Sequence, residues 1–75
     1  MTFKTLEIPK YVKLMFDTHT GEVTSVRRGP KWKDLDYSTR IAIFKIFDKE
    51  RRQLIKKNTG VSPKPMIFSN YDAMN

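Results

Sequence analysis

The chain contains no cysteine. This absence excludes disulfide bonds, metal sites with thiolate ligands and catalysis by a thiol nucleophile. A small protein that folds without disulfide bonds fits a reducing compartment. We therefore expect a cytoplasmic protein.

Long hydrophobic runs are also absent. No apolar stretch approaches the ~20 residues that a helix needs to span a bilayer. The first ten residues, which begin with Met1, lack the basic and then apolar pattern of a signal peptide. These features predict a complete small intracellular protein without a membrane partner.

Groups suited to catalysis are scarce. The only histidine, His19, lies between Thr18 and Thr20 at the predicted tip of a hairpin, where no cavity is available for acid–base chemistry. One histidine without cysteine is too few ligands for a zinc site. Asp34 and Asp36 precede a predicted helix and are more typical of helix caps than of a catalytic pair. We therefore expect no enzyme, cofactor, metal ion or small-molecule substrate.

The length and composition are sufficient for one small core. The chain has 75 residues, of which 39% are hydrophobic, with five Phe, three Tyr and one Trp. A chain of this length forms one domain at most. We predict a single ββα-type domain over residues 1–60 and an extended C-terminal tail over residues 61–75.

Alternating apolar residues predict two strands. Within residues 11–17, Val12, Leu14 and Phe16 fall on one face of a strand. Residues 2–8 alternate more weakly, and Pro9 follows them. This segment is predicted to be a short edge strand or an extended arm.

A hairpin turn is predicted after the strand over residues 11–17. Asp17 can accept hydrogen bonds from the amides of its own turn, and Gly21 supplies the positive φ that closes the hairpin. Residues 22–28 then return as the partner strand. The break in alternation between Val23 and Val26 predicts either a β-bulge or a weakly buried strand.

Residues 37–57 predict one amphipathic helix. Asp34, Asp36 and Ser38 each offer an oxygen that could cap its start, and Gly60 is a typical stop. At about 100° per residue, the apolar residues gather on one side. They are Tyr37, Ile41, Ile43, Phe44, Phe47, Leu54 and Ile55.

These elements predict an α+β fold. A β-hairpin, or a three-stranded antiparallel sheet if residues 2–8 pair with it, packs against one long amphipathic helix. An extended tail that contains proline follows the helix.

Positive charge is concentrated in two segments. The chain has 15 Lys and Arg against eight Asp and Glu, a net charge of +7. Residues 27–33 are net +4 and residues 37–58 net +5, so the other 46 residues are net −2. Four cations at spacings of 4, 3 and 4 lie within about 60° on the helix, and Asp48 and Glu50 are predicted to lie off this line. We call these four residues the basic stripe: Lys45, Lys49, Arg52 and Lys56.

The first basic segment surrounds the only tryptophan. Trp32 lies among four cations: Arg27, Arg28, Lys31 and Lys33. These cations are suited to contact phosphates, and an exposed indole could stack on a base. Alternatively, Trp32 folds over the hairpin and joins the loop to the helix, since its ring offers a large area for burial.

Arg51 projects into the apolar side of the predicted helix, near Phe44 and Phe47. We expect its stem to cover the edge of the core. Its guanidinium group would reach solvent or meet an acid such as Asp34 or Asp36.

The tail carries an apolar triplet, Met66, Ile67 and Phe68, after Pro63 and Pro65. The triplet either anchors the chain to a protein partner or folds back to complete the core over the hairpin.

Together these features predict a non-enzymatic basic binding protein. It would act at nucleic acid, DNA or RNA, or within a nucleoprotein complex such as the transcription machinery, and could regulate transcription. Its candidate binding residues are the basic stripe, Arg27, Arg28, Lys31, Trp32 and Lys33. Phosphate contacts of this kind predict affinity that falls steeply with salt and depends little on base sequence.

The alternative is an acidic protein partner. In size, charge and absence of cysteine, the chain is similar to the short proteins that bacteriophages make to bind host enzymes such as RNA polymerase. This likeness of composition implies a small inhibitor or regulator that docks on an acidic surface of a larger enzyme. Electrostatics would set its orientation and the apolar tail would anchor it.

Overall fold

Three antiparallel strands and one long helix form the fold of residues 2–65, the part of the chain that the computed structural model describes. The strands are β1 (Phe3–Ile8), β2 (Val12–Asp17) and β3 (Val23–Arg28), in the order β1-β2-β3 across the sheet. A short 3-10 helix, Trp32–Asp34, precedes α1 (Tyr37–Thr59). The predicted α+β fold is therefore confirmed, and the N-terminal segment pairs as a third strand.

The turn between β1 and β2 is tight. The amide of Tyr11 donates to the carbonyl oxygen of Ile8 at 3.0 Å, and Lys10 takes a φ of 72°. The carbonyl oxygen of Lys10 in turn accepts a hydrogen bond of 2.9 Å from the amide of Lys31. This bond holds the loop that follows β3 against the β1–β2 turn.

The turn between β2 and β3 forms as its residues predict. An Asp17 carboxylate oxygen accepts from the amides of His19 at 2.7 Å and Thr20 at 3.0 Å, and Gly21 has a φ of 79°. The predicted bulge is also present. The register shifts between Met15 and Phe16, because Met15 pairs with Ser25 whereas Phe16 pairs with Val23.

The helix ends are capped from within the chain. Of the three candidates, Asp36 is the N-cap, and its carboxylate accepts from the amide of Thr39 at 2.9 Å. At the other end, Gly60 adopts the left-handed conformation, with φ at 80°, and its amide donates to the Lys56 carbonyl oxygen. The helix therefore stops at Thr59, two residues beyond the predicted end.

The core lies between α1 and one face of the sheet. Its buried hydrophobic residues are Leu6, Val12, Leu14, Phe16, Val26, Trp32, Phe44, Phe47 and Ile55. The predicted apolar side of the helix is wrong at Tyr37, which is 60% exposed. A helical projection gives the direction of a residue around the axis, but not whether the sheet extends beneath that turn.

Candidate anion-binding surface

The basic stripe lies on the part of α1 that the sheet leaves uncovered. Because Phe44, Phe47 and Ile55 face the core, one flank of the helix remains open to solvent. Lys45, Lys49 and Lys56 are exposed there, whereas Arg52 is half-buried. These four side chains follow one line along the helix for three turns.

Three of the four cations line one shallow depression. Lys49, Arg52 and Lys56 surround it together with Gln53 and Ser62. Lys45, one turn nearer the N-terminus, lines a neighbouring depression with four other residues of the helix. The latter residues are Tyr37, Ser38, Ile41 and Ala42.

Ser62 belongs to the segment that follows the helix. Arg51 holds this segment, since its Nη2 donates a hydrogen bond of 2.7 Å to the carbonyl oxygen of Lys64. The same guanidinium group donates from Nη1 to the carbonyl oxygen of Gly21, also at 2.7 Å. The residues after Gly60 are thus tied to the helix and to the β2–β3 turn, which places a hydroxyl group beside the basic stripe.

A buried carboxylate lies beneath the basic stripe. Asp48 is 2% exposed, and its Oδ1 accepts a hydrogen bond of 2.9 Å from Nη2 of Arg51. Its Oδ2 lies 2.9 Å from Nε of Arg52, in a second ion pair. The Arg52 side chain remains 40% exposed although its Nε is buried. One negative charge is therefore shared between two guanidinium groups, and the three residues together carry a net charge of +1.

The guanidinium group of Arg51 meets an acid, which was one of its two expected positions, but the acid is Asp48 and not Asp34 or Asp36. Arg51 is only 4% exposed, so the expectation that this group reaches solvent is wrong. Asp48 is buried beneath the basic stripe and off its exposed line, yet it still forms an ion pair with Arg52. The spacing was visible in the sequence: Asp48 stands three residues before Arg51 and four before Arg52, at distances that place side chains together on a helix.

The first basic segment does not join the basic stripe in one depression. Along β3, Arg27 alternates with Val26, whose side chain is in the core, so Arg27 lies on the opposite face of the sheet from the helix. Arg27 and Arg28 line a separate depression with Ser25 and Val26. Lys31, the N-cap of the short 3-10 helix, and Lys33, within that helix, are exposed.

Trp32 packs in the core, in agreement with the interpretation that it folds over the hairpin and joins the loop to the helix. It is 4% exposed, and its ring meets that of Phe44 edge to face with the ring centroids 5.5 Å apart. The guanidinium carbon of Arg40 lies 5.7 Å from the centre of the Trp32 ring. The indole therefore has no open face on which a base could stack, so Trp32 does not belong to the exposed basic surface.

Three further expectations concern the apolar triplet of the tail, metal ligands and membrane-spanning helices. Met66, Ile67 and Phe68 lie outside the described residues. Within residues 2–65, no group of three or more His, Cys, Asp or Glu side chains could hold a metal ion. In the same part of the chain, no helix is long and apolar enough to cross a membrane.

Sequence reasoning missed three contributors to this surface. The contribution of Asp48 was not predicted, because its direction around the helix does not show that the Arg52 side chain can reach it. Ser62 and Gln53 carried no distinguishing pattern, since a single polar residue after a helix stop gives no sign of where the chain then runs.

The chain matches no family model, no curated protein and no solved structure.

Proposed function

We propose that this protein is a non-enzymatic nucleic-acid-binding protein that contacts the phosphate backbone through the basic stripe. It neutralises phosphates with Lys45, Lys49, Arg52 and Lys56, and it binds with little regard to base sequence. The observation that carries this proposal is the single depression shared by three of these cations.

The placement of the cations supports this function. Successive phosphates of a nucleic acid strand form a line of negative charges, and the basic stripe is a line of positive charges about 4.5–6 Å apart along α1. The lysine ammonium groups are exposed, so contact with phosphate requires no rearrangement of the core. Only Arg52 shares its charge with a carboxylate of the same chain among the ion pairs described for the basic stripe.

The placement of Trp32 sharpens the proposal. With the indole buried, the described residues offer no tryptophan ring on which bases could stack. Stacking is the contact that favours single strands, whereas phosphate contacts serve duplex and single strands alike. We therefore expect the duplex to bind at least as well as a single strand of the same length, because it has the higher charge density.

A salt titration tests this function. Fluorescence anisotropy of a labelled short duplex and of one labelled strand is measured against the protein between about 50 and 200 mM salt. Four phosphate contacts predict a slope of about −3.6 for log K against log salt on the duplex, which is roughly a hundredfold loss over that range. Binding that is absent at the lower salt, or that does not change with salt, contradicts the proposal.

Charge-matched variants locate the contact. The double variant Lys49→Gln/Lys56→Gln removes two exposed cations of the basic stripe, and we expect it to reduce the steepness of the salt slope by about 2. The control is Lys13→Gln/Lys57→Gln, which removes two exposed cations elsewhere and leaves the same net charge. Equal losses in the two double variants would show that net charge, and not this surface, governs binding.

A further inference from the structure

We propose that the depression lined by Lys49, Arg52, Lys56 and Ser62 seats one phosphate group of the backbone, and that Asp48 positions Arg52 to bind it. This inference rests on the proposed function and names the phosphodiester as the group recognised at its centre. It gives Arg52 a different role from that of the lysines, which act as point charges.

The first step concerns the orientation of Arg52. An exposed arginine side chain is mobile, and ordering it on binding costs conformational entropy. Here Nε of Arg52 is buried and lies 2.9 Å from Oδ2 of Asp48, an ion-pair contact without hydrogen-bond geometry, so charge attraction restricts where the fork can lie before a ligand arrives. A planar fork held in this way matches the paired oxygens of a phosphate.

The second step concerns Asp48 itself. A carboxylate that was free to turn could not hold Arg52 in place, but Oδ1 of Asp48 is bound by Arg51 at 2.9 Å. Arg51 is in turn held by the carbonyl oxygens of Gly21 and Lys64. Asp48 is thus a buried, oriented acceptor.

The third step concerns the other donors around the depression. Lys49 and Lys56 stand on either side of Arg52 along the helix, and Ser62 approaches from the segment after Gly60. The contact between Arg51 and Lys64 also controls the position of Ser62, which is two residues away along the chain. One buried arginine therefore links both halves of the depression. A tetrahedral anion suits donors that converge in this way, because it offers oxygens in several directions.

The conservative substitution Arg52→Lys tests the role of the fork. It keeps the positive charge but lacks a planar group that can pair with Asp48 and phosphate at once. We expect about tenfold weaker binding of the short duplex at fixed salt. Arg27→Lys makes the same chemical change on the opposite face of the sheet. If it weakens binding as much as Arg52→Lys does, or if Arg52→Lys binds as wild type does, the inference is wrong.

The sign of a second substitution distinguishes positioning from net charge. Asp48→Asn removes a negative charge beneath the basic stripe, so a purely electrostatic surface would bind the duplex more tightly. If Asp48 positions Arg52, binding weakens even though the net charge rises. A ¹⁵N NMR spectrum checks that the fold is retained and follows the Arg52 Nε–H resonance, which we expect to lose its protection from exchange in this variant. Tighter binding overturns the inference; a variant that does not fold leaves the decision to Arg52→Lys.

The failure of this inference and that of the proposed function give different results. If wild type does not bind the duplex, the proposed function fails. If wild type binds with the expected salt slope but Arg52→Lys leaves the affinity unchanged, or Asp48→Asn raises it, only the positioning role fails. Polyglutamate is the competitor that represents an acidic protein surface. Competition by polyglutamate as effective as that by unlabelled duplex, per unit charge, would contradict recognition of phosphate.

Discussion

Nη1 of Arg51 donates a hydrogen bond of 2.7 Å to the carbonyl oxygen of Gly21, 30 positions earlier in the chain. This bond joins the third turn from the end of α1 to the turn between β2 and β3. The same side chain binds Asp48 and Lys64, so one buried guanidinium group connects the sheet, the helix and the segment after the helix. It occupies a buried position on the side of the helix that also carries Phe44, Phe47 and Ile55.

The first prediction concerns this buried cation. Arg51→Met fills much of the same space but leaves the Gly21 and Lys64 carbonyl oxygens and one side of Asp48 without their donor. We expect the free energy of unfolding to fall by about 3–5 kcal/mol, the usual cost of breaking a buried ion pair by removing one partner. Urea unfolding followed by circular dichroism measures it. The exposed Lys57→Met is the control, with an expected change within about 0.5 kcal/mol; a similar small loss for Arg51→Met would refute the prediction.

The second prediction concerns Trp32. Trp32→Phe keeps a ring against Phe44, and the indole Nε1 that it removes has no hydrogen-bond partner among the described residues. We expect a loss of stability of about 1–2 kcal/mol, from the smaller ring, and no change in affinity for the duplex. In wild type, saturating duplex should leave the emission of this single tryptophan unquenched. Quenching on binding, together with weaker binding by Trp32→Phe, would restore the stacking interpretation.

The third prediction concerns Gly29, where the backbone of another segment approaches closely. A Cβ atom at this position would clash with the carbonyl oxygen of Lys10 and lie 2.9 Å from the amide nitrogen of Tyr11. Both are main-chain atoms, so they can move only if the two turns separate. We expect Gly29→Ala to destabilise the fold by about 2–3 kcal/mol, in thermal or urea unfolding.

Gly60→Ala provides the comparison for Gly29. Among residues 2–65, no atom beyond the neighbouring residues lies within 4 Å of a Cβ atom there, but the φ of 80° is unfavourable for alanine. Its expected cost is about 1 kcal/mol, the penalty for the left-handed conformation alone. If the two substitutions cost the same, close approach of the backbone is not the reason for glycine at position 29.

The fourth prediction concerns pH. Hydrogen bonds from the amides of Thr20 and His19 lower the pKa of Asp17, and hydrogen bonds from the hydroxyl group and amide of Thr39 lower the pKa of Asp36. A carboxylate whose pKa is lower in the folded state stabilises the fold above its unfolded pKa, which is near 3.8. That stability is lost as pH falls through the folded pKa. We therefore expect stability to decline with acidification below about pH 5.

A variant without these two titrating groups isolates their effect. Asp17→Asn/Asp36→Asn keeps an acceptor oxygen at each turn but cannot be protonated in this range. Urea unfolding at a series of pH values between neutrality and pH 2 should show a flatter profile for the double variant than for wild type. Parallel profiles would show that groups other than Asp17 and Asp36 cause the loss of stability in acid.

The fifth prediction concerns the segment after the helix. A chain that ends at Ser62 lacks the Lys64 carbonyl oxygen that Arg51 binds, whereas a chain that ends at Pro65 retains it. We expect the shorter chain to be less stable by about 1.5–3 kcal/mol, the range for a hydrogen bond to a charged group. Equal stability of the two chains would show that this contact does not hold the segment.

The same pair of chains tests whether the apolar triplet anchors a protein partner. Removal of residues 63–75 would disturb the core contact of Arg51 together with the apolar triplet. The chain that ends at Pro65 removes Met66, Ile67 and Phe68 and keeps that contact. If this chain still captures a protein partner as the full chain does, the triplet is not the anchor.

Features that depend on near neighbours were predictable. Asp17 binds amides two and three residues away, Asp36 caps an amide three residues away, and Gly60 stops the helix beside it. The position of Trp32, in the core or on the surface, could not be predicted in this way. An indole beside four cations suits both a core and a nucleic-acid surface, and the choice depended on whether Phe44 would lie within reach.

The sequence by itself determined the order and type of β2, β3 and α1, the two ends of the helix within two residues and the line of cations along it. These follow from periodicity, capping chemistry and charge, which act over a few residues. Only the tertiary structure decided that Arg27 faces away from the basic stripe, that Asp48 and Arg51 are buried, and that Ser62 stands beside Lys49 and Lys56. The physical reason is that each depends on which distant segment covers a given face, and contacts such as Arg51 with Gly21 leave no periodic trace in the chain.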